Sequence, residues 1–204
     1  MAKKKRTSRK TVDKWKLKSW YKVLAPEAYE NKEIGEVPSS DPKKLLNKII
    51  KVPLFLIGGR AGAASINTRL KFRIIEVKGT TAFTRLIGHE IDQSFVKTLA
   101  RRRRSVIDQI VDIETTDGNK VRIKGVIITV NRISQRPKTT LRNMFKDHII
   151  EATKNMTLNE LMQAILFGKF AQQIQQDLKK IIPIRKIQIH KTEVKNTIIK
   201  IEKH

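Results

Sequence analysis

The sequence predicts an α+β fold: a small antiparallel β-barrel with helices packed on it and a basic N-terminal extension. Residues Arg69–Ile74 alternate apolar and basic side chains, as in a strand with one buried face. Asp117-Gly118, which lies between two apolar segments, is a strong hairpin signal. Beyond residue 138, apolar residues recur with the helical period of about 3.6. The 204 residues are enough for one such domain with its own core.

Six short strands are expected along the chain. A turn at Lys78–Thr81 joins the second strand to the third, and Asp117-Gly118 joins the fourth to the fifth. Short strands joined by hairpin turns favour a small antiparallel barrel or closed sheet. The predicted strands are Lys48–Leu56, Arg69–Ile74, Ala82–Ile87, Val106–Thr115, Lys120–Val130 and Ile184–His190.

Two helices are expected to interrupt and to follow these strands. Asp92 can N-cap a helix that continues to about Arg104. A second helix is predicted over residues 138–154, because one set of residues recurs there at helical spacing. The predicted inner face of this helix consists of Leu141, Met144, Phe145, His148 and Ala152.

The last helical region is predicted to be a hairpin of two helices joined by Gly168. Thr157 and Glu160 form a capping box that starts the first helix. Gly168 is a typical C-cap residue for it, and Pro183 ends the second helix. The apolar stripe of this second helix consists of Phe170, Ile174, Leu178 and Ile181.

The formal net charge is +25, and most of it is concentrated in four segments. Residues 1–22 carry ten Lys/Arg and one acid, and residues 93–104 carry five Lys/Arg and no acid. Residues 132–154 and 183–204 each carry six Lys/Arg and two acids. A compact body with this excess repels itself unless a polyanion neutralises it. The composition therefore favours a nucleic-acid partner over a free-standing metabolic enzyme.

The N-terminal segment mixes lysines with aromatic residues. Its first dozen residues have no apolar periodicity and are expected to become ordered on a phosphate backbone. Both tryptophans of the chain, Trp15 and Trp20, come next, among lysines. Their rings can stack on unpaired bases while the ammonium groups contact phosphates, or they can be core anchors, which we expect for at least one of them. The predicted organisation is a basic RNA-binding extension (1–22), a single domain (23–194) and a basic tail (195–204).

Arg101–Arg104 is the densest cluster of charge in the predicted domain. On a helix, successive residues are about 100° apart, so four in a row surround it and at least one guanidinium faces the protein. Either a polyanion wraps this helix end, or acids such as Asp108 and Asp112 pair with the inner arginines. A solvated charge run at a helix C-terminus is the remaining alternative. Because the planar guanidinium suits phosphate recognition, we expect the tetrad to bind folded RNA.

The sequence contains no catalytic or metal-binding pattern. There is no cysteine, and the four histidines share no metal-ligand spacing. The glycine-rich segment 57–63 lacks the Lys-Ser/Thr of a phosphate-binding loop. No apolar run approaches the ~18 residues that span a bilayer, and the basic N-terminus lacks the apolar region of a signal peptide. We therefore expect a cytosolic, non-enzymatic protein with no cofactor, metal, membrane or small-molecule substrate.

Five segments of the chain carry a resemblance to a known family. They are DKWKLKSWYKVLAPEAY (13–29), LARRRRSVID (99–108), TTDGNKVRIK (115–124), ILFGKFAQQI (165–174) and IIPIRKIQIHKTEV (181–194). The chain resembles the S-one-e (S-three-a-e) family of archaeal and eukaryotic small-subunit ribosomal proteins, in its archaeal form. The resemblance implies a β-barrel with helices and a structural role on the platform of the small subunit, near the messenger exit. The implied partners are small-subunit rRNA, neighbouring platform proteins and messenger RNA near the exit.

The resulting prediction is a ribosomal protein that binds rRNA through its basic segments. The N-terminal segment and the arginine tetrad are the main predicted contacts, and residues 132–142 are a secondary one. The alternatives are an extra-ribosomal RNA-binding protein or chaperone with the same charge, and an RNA-modifying or RNA-cleaving enzyme. The predicted RNA-binding residues are Lys3, Lys4, Lys5, Arg6, Arg9, Lys10, Lys14, Trp15, Lys16, Lys18, Arg101, Arg102, Arg103, Arg104, Arg132, Arg136, Lys138 and Arg142.

Overall fold

The computed structural model describes residue 13, residues 15–58 and residues 66–195. The strands in this part of the chain are β1 (Ser19–Leu24), β2 (Glu33–Ser39), β3 (Ile49–Pro53), β4 (Thr68–Lys78), β5 (Thr81–Ile91), β6 (Val106–Glu114), β7 (Lys120–Thr129) and β8 (Ile184–Val194). The helices are α1 (Gln93–Leu99), α2 (Gln135–Thr153), α3 (Leu158–Leu166) and α4 (Lys169–Lys179). Short 3-10 turns lie at Glu27–Tyr29, Pro42–Leu45 and Leu54–Ile57. The α+β prediction is confirmed.

The eight described strands belong to one sheet, which is not closed within the described residues. Hydrogen-bonded neighbours follow the order β2-β1-β5-β8-β7-β6, and β4 lies between β3 and β5. Residues 81–83 of β5 pair with β1, and residues 88–90 of the same strand pair with β8. The β1–β5 pair is parallel, whereas the other six pairs are antiparallel. Since β3 and β6 do not pair with each other in the described part of the chain, the predicted closed antiparallel barrel is not confirmed.

The two predicted hairpin turns are confirmed, and both depend on a glycine in the left-handed region. Gly79 has a φ of 57° between β4 and β5, and Gly118 has a φ of 69° between β6 and β7. A side chain at either position would be strained. The β6–β7 ladder has no register shift from Val106, opposite Ile128, to Glu114, opposite Lys120. The second turn therefore sets the register of the whole hairpin.

Helix α2 packs against β6 and fills the interior that the open sheet leaves. Leu141, Phe145 and Ile149 of α2 are fully buried. Gly125 of β7 lies under the Phe145 ring, so that a Cβ at this position would overlap the ring. The same core contains Val52 of β3. Helix α2 therefore covers the buried face of β6, which carries Ile107, Val111 and Ile113.

Helices α3 and α4 form the predicted helix–glycine–helix hairpin. The Glu160 N–H donates to Thr157 Oγ1, and the Thr157 N–H donates to the Glu160 carboxylate, as expected for a capping box. Gly168 separates the helices with a φ of 74°. The buried residues of α4 are Phe170, Ile174 and Leu178. The prediction was wrong for Ile181, which is 49% exposed because α4 ends at Lys179.

Strands β1 and β2 were not predicted, and they border a second, smaller core. Tyr21 and Val23 of β1 pack there with Leu45, Ile74 and Ala82. The strand signal in β1 is only six residues long and is mixed with lysine, and β2 contains a proline. Proline in a strand is tolerated chiefly at a sheet edge, which is the position of β2. This edge position explains why sequence patterns missed the pair.

Candidate nucleic-acid interface

Arg101–Arg104 lie in a turn between α1 and β6, and the predicted helix through them was wrong. Helix α1 ends at Leu99, Ala100 is extended (φ −79°, ψ 108°), and Arg103 is left-handed with a φ of 64°. A continued helix would bring Lys97 and the arginines within one turn of each other, where like charges repel. In the turn, the first three arginines are exposed and Arg104 is half-buried.

Ser105 fixes the end of the tetrad against the loop after β7. Ser105 is buried, and its Oγ accepts the Ile133 N–H at 3.1 Å. Its own N–H donates to Thr129 Oγ1 at 3.1 Å, and its carbonyl accepts the Thr129 N–H at 3.1 Å. Arg104 precedes Ser105, and Arg132 precedes Ile133. The hydrogen bonds therefore hold the backbone segments that carry these two arginines next to each other.

The tetrad lies where β6 begins, β7 ends and β8 begins. Val106 pairs with Ile128, and Thr129 pairs with Ile184. The loop after Thr129 leads directly into α2, whose first turn contains Arg136. Two clusters that are separate in the sequence thus lie at one end of the sheet. We call Arg101–Arg104, Arg132 and Arg136 the arginine end.

The sequence prediction missed further basic residues beside the arginine end. Arg185 and Lys186 are the second and third residues of β8. Lys186 Nζ lies 5.4 Å from the centre of the Phe95 ring in α1, which connects β8 to the helix before the tetrad. The basic charge of segment 183–204 indicated that these residues could bind an anion. Only the register of β8 shows that they lie beside the arginine end. Lys138 and Arg142, which were predicted contacts, lie farther along α2 and are half-buried.

No carboxylate among the described residues forms an ion pair with the arginine end. Asp112, an expected partner, instead accepts hydrogen bonds from Arg122 at 2.7 and 2.9 Å and from Lys195 at 3.0 Å. These bonds, led by those from Arg122, hold the pKa of Asp112 well below its usual range. Arg104 Nη1 is shielded from solvent and has no hydrogen-bond partner in the described part of the chain. The arginine end is therefore an uncompensated cationic surface that fits an anion.

Trp15, Lys16 and Lys18 form a second exposed surface ahead of β1. The Asp13 carboxylate accepts the Trp15 N–H at 3.0 Å, which stabilises a turn over residues 15–17. Lys18 Nζ lies 4.4 Å from the centre of the Trp15 ring. Trp15 is 59% exposed and Trp20 is 55% exposed, so the prediction that at least one tryptophan is a core anchor was wrong.

The two surfaces lie at different strands of the sheet. β1 is second in the strand order and β6 is last, with three strands between them. The other predicted contacts of the N-terminal segment lie outside the described residues, as does most of the glycine-rich segment 57–63. Those outlying contacts are Lys3, Lys4, Lys5, Arg6, Arg9, Lys10 and Lys14.

The model of the Ribosomal S3Ae family matches residues 6–197, a range that includes both surfaces. The chain belongs to the Ribosomal S3Ae family. It is 37% identical over 189 residues to small ribosomal subunit protein eS1 of Methanothrix thermoacetophila, covering 93% of this chain and 89% of that protein. Proteins of the same name from Staphylothermus marinus and Sulfurisphaera tokodaii are 36% and 35% identical over 182 residues. These matches cover 89% of this chain and 85% and 93% of the relatives. The family resemblance predicted from the sequence is confirmed.

His89 of this S3Ae family member is a structural residue at the β5–β8 junction. Its Nδ1 lies 2.8 Å from Thr192 Oγ1, and its Nε2 lies 3.2 Å from the Ile189 carbonyl. Burial lowers the pKa of His89 to about 4, so the ring is neutral at neutral pH. Within the described ranges, no cluster of three His, Cys, Asp or Glu is placed to hold a metal ion. None of the described helices is both long and apolar enough to cross a membrane.

Proposed function

We propose that this chain is a structural protein of the small ribosomal subunit and that its arginine end binds rRNA. Family membership supports the ribosomal assignment. The observation that carries the site is the convergence of six arginines from two segments, joined by the Ser105–Ile133 hydrogen bond, without a carboxylate partner among the described residues. Guanidinium groups bind phosphate oxygens in pairs of parallel hydrogen bonds. The function is architectural and involves no reaction.

The arginine end is suited to recognise the shape of the RNA backbone rather than a base sequence. Its exposed members, Arg101–Arg103, Arg132 and Arg136, project from two neighbouring segments at one end of the sheet. Contacts to phosphates fix the position and orientation of a protein on RNA, while the shape of folded RNA supplies selectivity. In this proposal, the half-buried Arg104 contacts phosphate through its other guanidinium nitrogens, since Nη1 is shielded from solvent.

The N-terminal surface is proposed as a second contact with different chemistry. Lys18 stands over one face of the exposed Trp15 ring, so the cation and the π-system are presented together. An aromatic ring of this kind can stack on an unpaired base while the ammonium group meets a phosphate. Lys16 is exposed in the same turn. We extend the proposal to the basic residues of segment 1–14.

The proposed location is the platform of the small subunit near the messenger exit, as the family resemblance implies. The partners there would be small-subunit rRNA, neighbouring platform proteins and messenger RNA at the exit. Because ribosomes act in the cytoplasm, we place the chain in that compartment.

The arginine end is tested by replacing Arg101–Arg104 with alanine in the full chain. Loss of four phosphate contacts should make the salt dependence of rRNA binding shallower by about 3 in log K against log salt. The matched control removes four exposed lysines elsewhere, Lys32, Lys43, Lys48 and Lys154, and should change the slope much less. Equal effects of both variants would mean that net charge, not this site, drives binding. A collapse of the melting temperature in the arginine variant would make the tetrad structural.

Assembly is tested by cosedimentation with small ribosomal subunits. The proposal expects stoichiometric recovery of the chain with subunits at high salt, because many contacts hold it in a fixed site. Recovery with free RNA alone would support an extra-ribosomal RNA-binding protein or chaperone instead. Altered nucleotides or cut ends after incubation with rRNA would indicate an enzyme.

A further inference from the structure

β6 is an edge strand with a long, regular free edge that carries no lysine, proline or bulge. It pairs with β7 over nine residues without a bulge, and within the described residues it pairs with no other strand. Natural edge strands are generally protected by charged side chains, above all lysine, by proline, by a bulge or by a covering helix. The other two edges follow this rule: β3 contains Lys51 and Pro53, and β2 contains Pro38. β6 contains no lysine, arginine, proline or glycine.

The free hydrogen-bonding groups of β6 belong to its even-numbered residues. At one end, the Thr129 N–H donates to the Ser105 carbonyl at 3.1 Å, and at the other, the Thr115 N–H donates to the Asn119 carbonyl at 3.1 Å. Residues bonded to the partner strand alternate in an antiparallel ladder, so the odd-numbered residues of β6 bond to β7. The N–H and C=O groups of residues 106, 108, 110, 112 and 114 then point away from β7. Accordingly, the Ile110 carbonyl accepts a side-chain hydrogen bond, from Gln109 Nε2 at 3.2 Å.

The side chains of the same residues form an exposed surface that is both apolar and acidic. Val106 is 39% exposed and Ile110 is 52% exposed. Asp108 and Glu114 have no ion-pair partner among the described residues, whereas Asp112 is bound by Arg122. β6 therefore carries three acids and no base in a chain of net charge +25. On the inner side of β6, Lys120 and Arg122 of β7 lie opposite Glu114 and Asp112. On its outer side β6 offers only carboxylates as charged groups, and these repel phosphate, so this edge favours a basic partner over RNA.

We propose that the free edge of β6 accepts an extended, lysine- or arginine-rich segment of a neighbouring ribosomal protein as an added strand. The inference rests on the proposed function, which supplies the shared subunit. Main-chain bonds to the even-numbered residues would provide affinity, and alternate side chains would provide selectivity. The partner places basic side chains opposite Asp108 and Glu114 and an apolar side chain opposite Ile110, because directly opposed residues share one face of a sheet.

The test places the photo-crosslinker p-benzoylphenylalanine at position 110 of the full chain in assembled small subunits. We expect a crosslink to a lysine- or arginine-rich segment of another protein, mapped by mass spectrometry. Adding Asp108→Lys should lower the yield by about fivefold, because it replaces attraction by repulsion of comparable size across the strand pair. Glu151→Lys is the matched control, since it makes the same charge change on an exposed position of α2 and should leave the yield unchanged.

Crosslinks from position 110 only to rRNA, only to this chain itself, or to nothing would overturn the inference. A second crosslinker in place of Ser134, an exposed residue beside the arginine end, reports separately on rRNA binding. If Ser134 crosslinks to rRNA and position 110 to no other protein, the docking inference fails and the proposed function stands. If the wild-type chain does not enter small subunits, the proposed function fails and the docking inference fails with it.

Discussion

Thr129 joins the two loops of the arginine end, and replacing it with valine tests that role. The Thr129 side chain is fully buried. Its hydroxyl oxygen accepts the Ser105 N–H at 3.1 Å, and its hydroxyl proton is donated to the Asn131 carbonyl at 2.6 Å. Valine has nearly the same shape but can neither donate nor accept. Thr129→Val therefore removes both hydrogen bonds without opening a cavity.

The expected loss follows from the burial of the Ser105 N–H. A buried N–H left without an acceptor costs about 1–3 kcal/mol, and the bond to Asn131, whose residue is exposed and can be hydrated, contributes about 1 kcal/mol. We expect Thr129→Val to lower the free energy of unfolding by about 2–4 kcal/mol. For a chain of this length, that corresponds to a decrease of about 4–16 °C in Tm.

Urea unfolding followed by circular dichroism measures the stability of the variant, and filter binding measures its affinity for rRNA. Thr129→Ser is the control, because it keeps the hydroxyl and removes one methyl group; it should cost about 1 kcal/mol and leave the affinity unchanged. Thr129→Val should also weaken rRNA binding slightly, because Ser105, whose Oγ holds the Ile133 N–H, loses one of its anchors to Thr129. Wild-type stability in Thr129→Val, or unchanged affinity at a temperature where it is folded, would refute the reasoning.

Three further outcomes are expected. If the full chain contacts about ten phosphates, log K for rRNA should fall with log salt at a slope of roughly −7 to −9, and a slope near −2 in a filter-binding titration would contradict extended contact. Burial holds the pKa of His89 at about 4, below its ordinary 6.5, so the unfolded chain binds the proton first and stability falls as the pH drops from 6.5 to 4. The free energy of unfolding should fall by at most about 3 kcal/mol over this pH range. Urea titrations should show that the stability of His89→Gln depends less on pH than that of the wild type; the same pH profile in both would exclude His89 as the cause of the loss. Gly125→Ala should destabilise the fold by about 1–3 kcal/mol through overlap with the Phe145 ring. Adding Phe145→Leu should recover part of that loss, whereas purely additive losses in urea unfolding would argue against the contact.

Elements with a strong local signal were predictable from the sequence. Gly118 ends a hairpin because it accepts a positive φ, and Gly168 separates two helices for the same reason. Thr157 starts α3 because its side chain accepts a hydrogen bond three residues ahead. The end of α1 was mispredicted, because the turn after this helix depends on Ser105, which is anchored by hydrogen bonds to Thr129. The local sequence around the end of α1 does not indicate these hydrogen bonds to a distant strand.

In the candidate site, too, some features were predictable from the local sequence and others depend on contacts between distant residues. By itself, the sequence determined its chemistry: a tetrad of arginines in a segment without acids, further arginines after residue 131, and tryptophans among lysines. Tertiary structure alone decided that the tetrad and Arg132 form one surface, through a hydrogen bond between residues 28 positions apart. It also decided that Trp20 faces outward, because Tyr21 and Val23 take the buried side of β1 against β5. The physical reason is the sequence separation over which each interaction acts. Turns, caps and charge patterns depend on residues a few positions apart. Strand register and core packing join segments that are far apart in the chain, and the local sequence of one segment does not indicate the other.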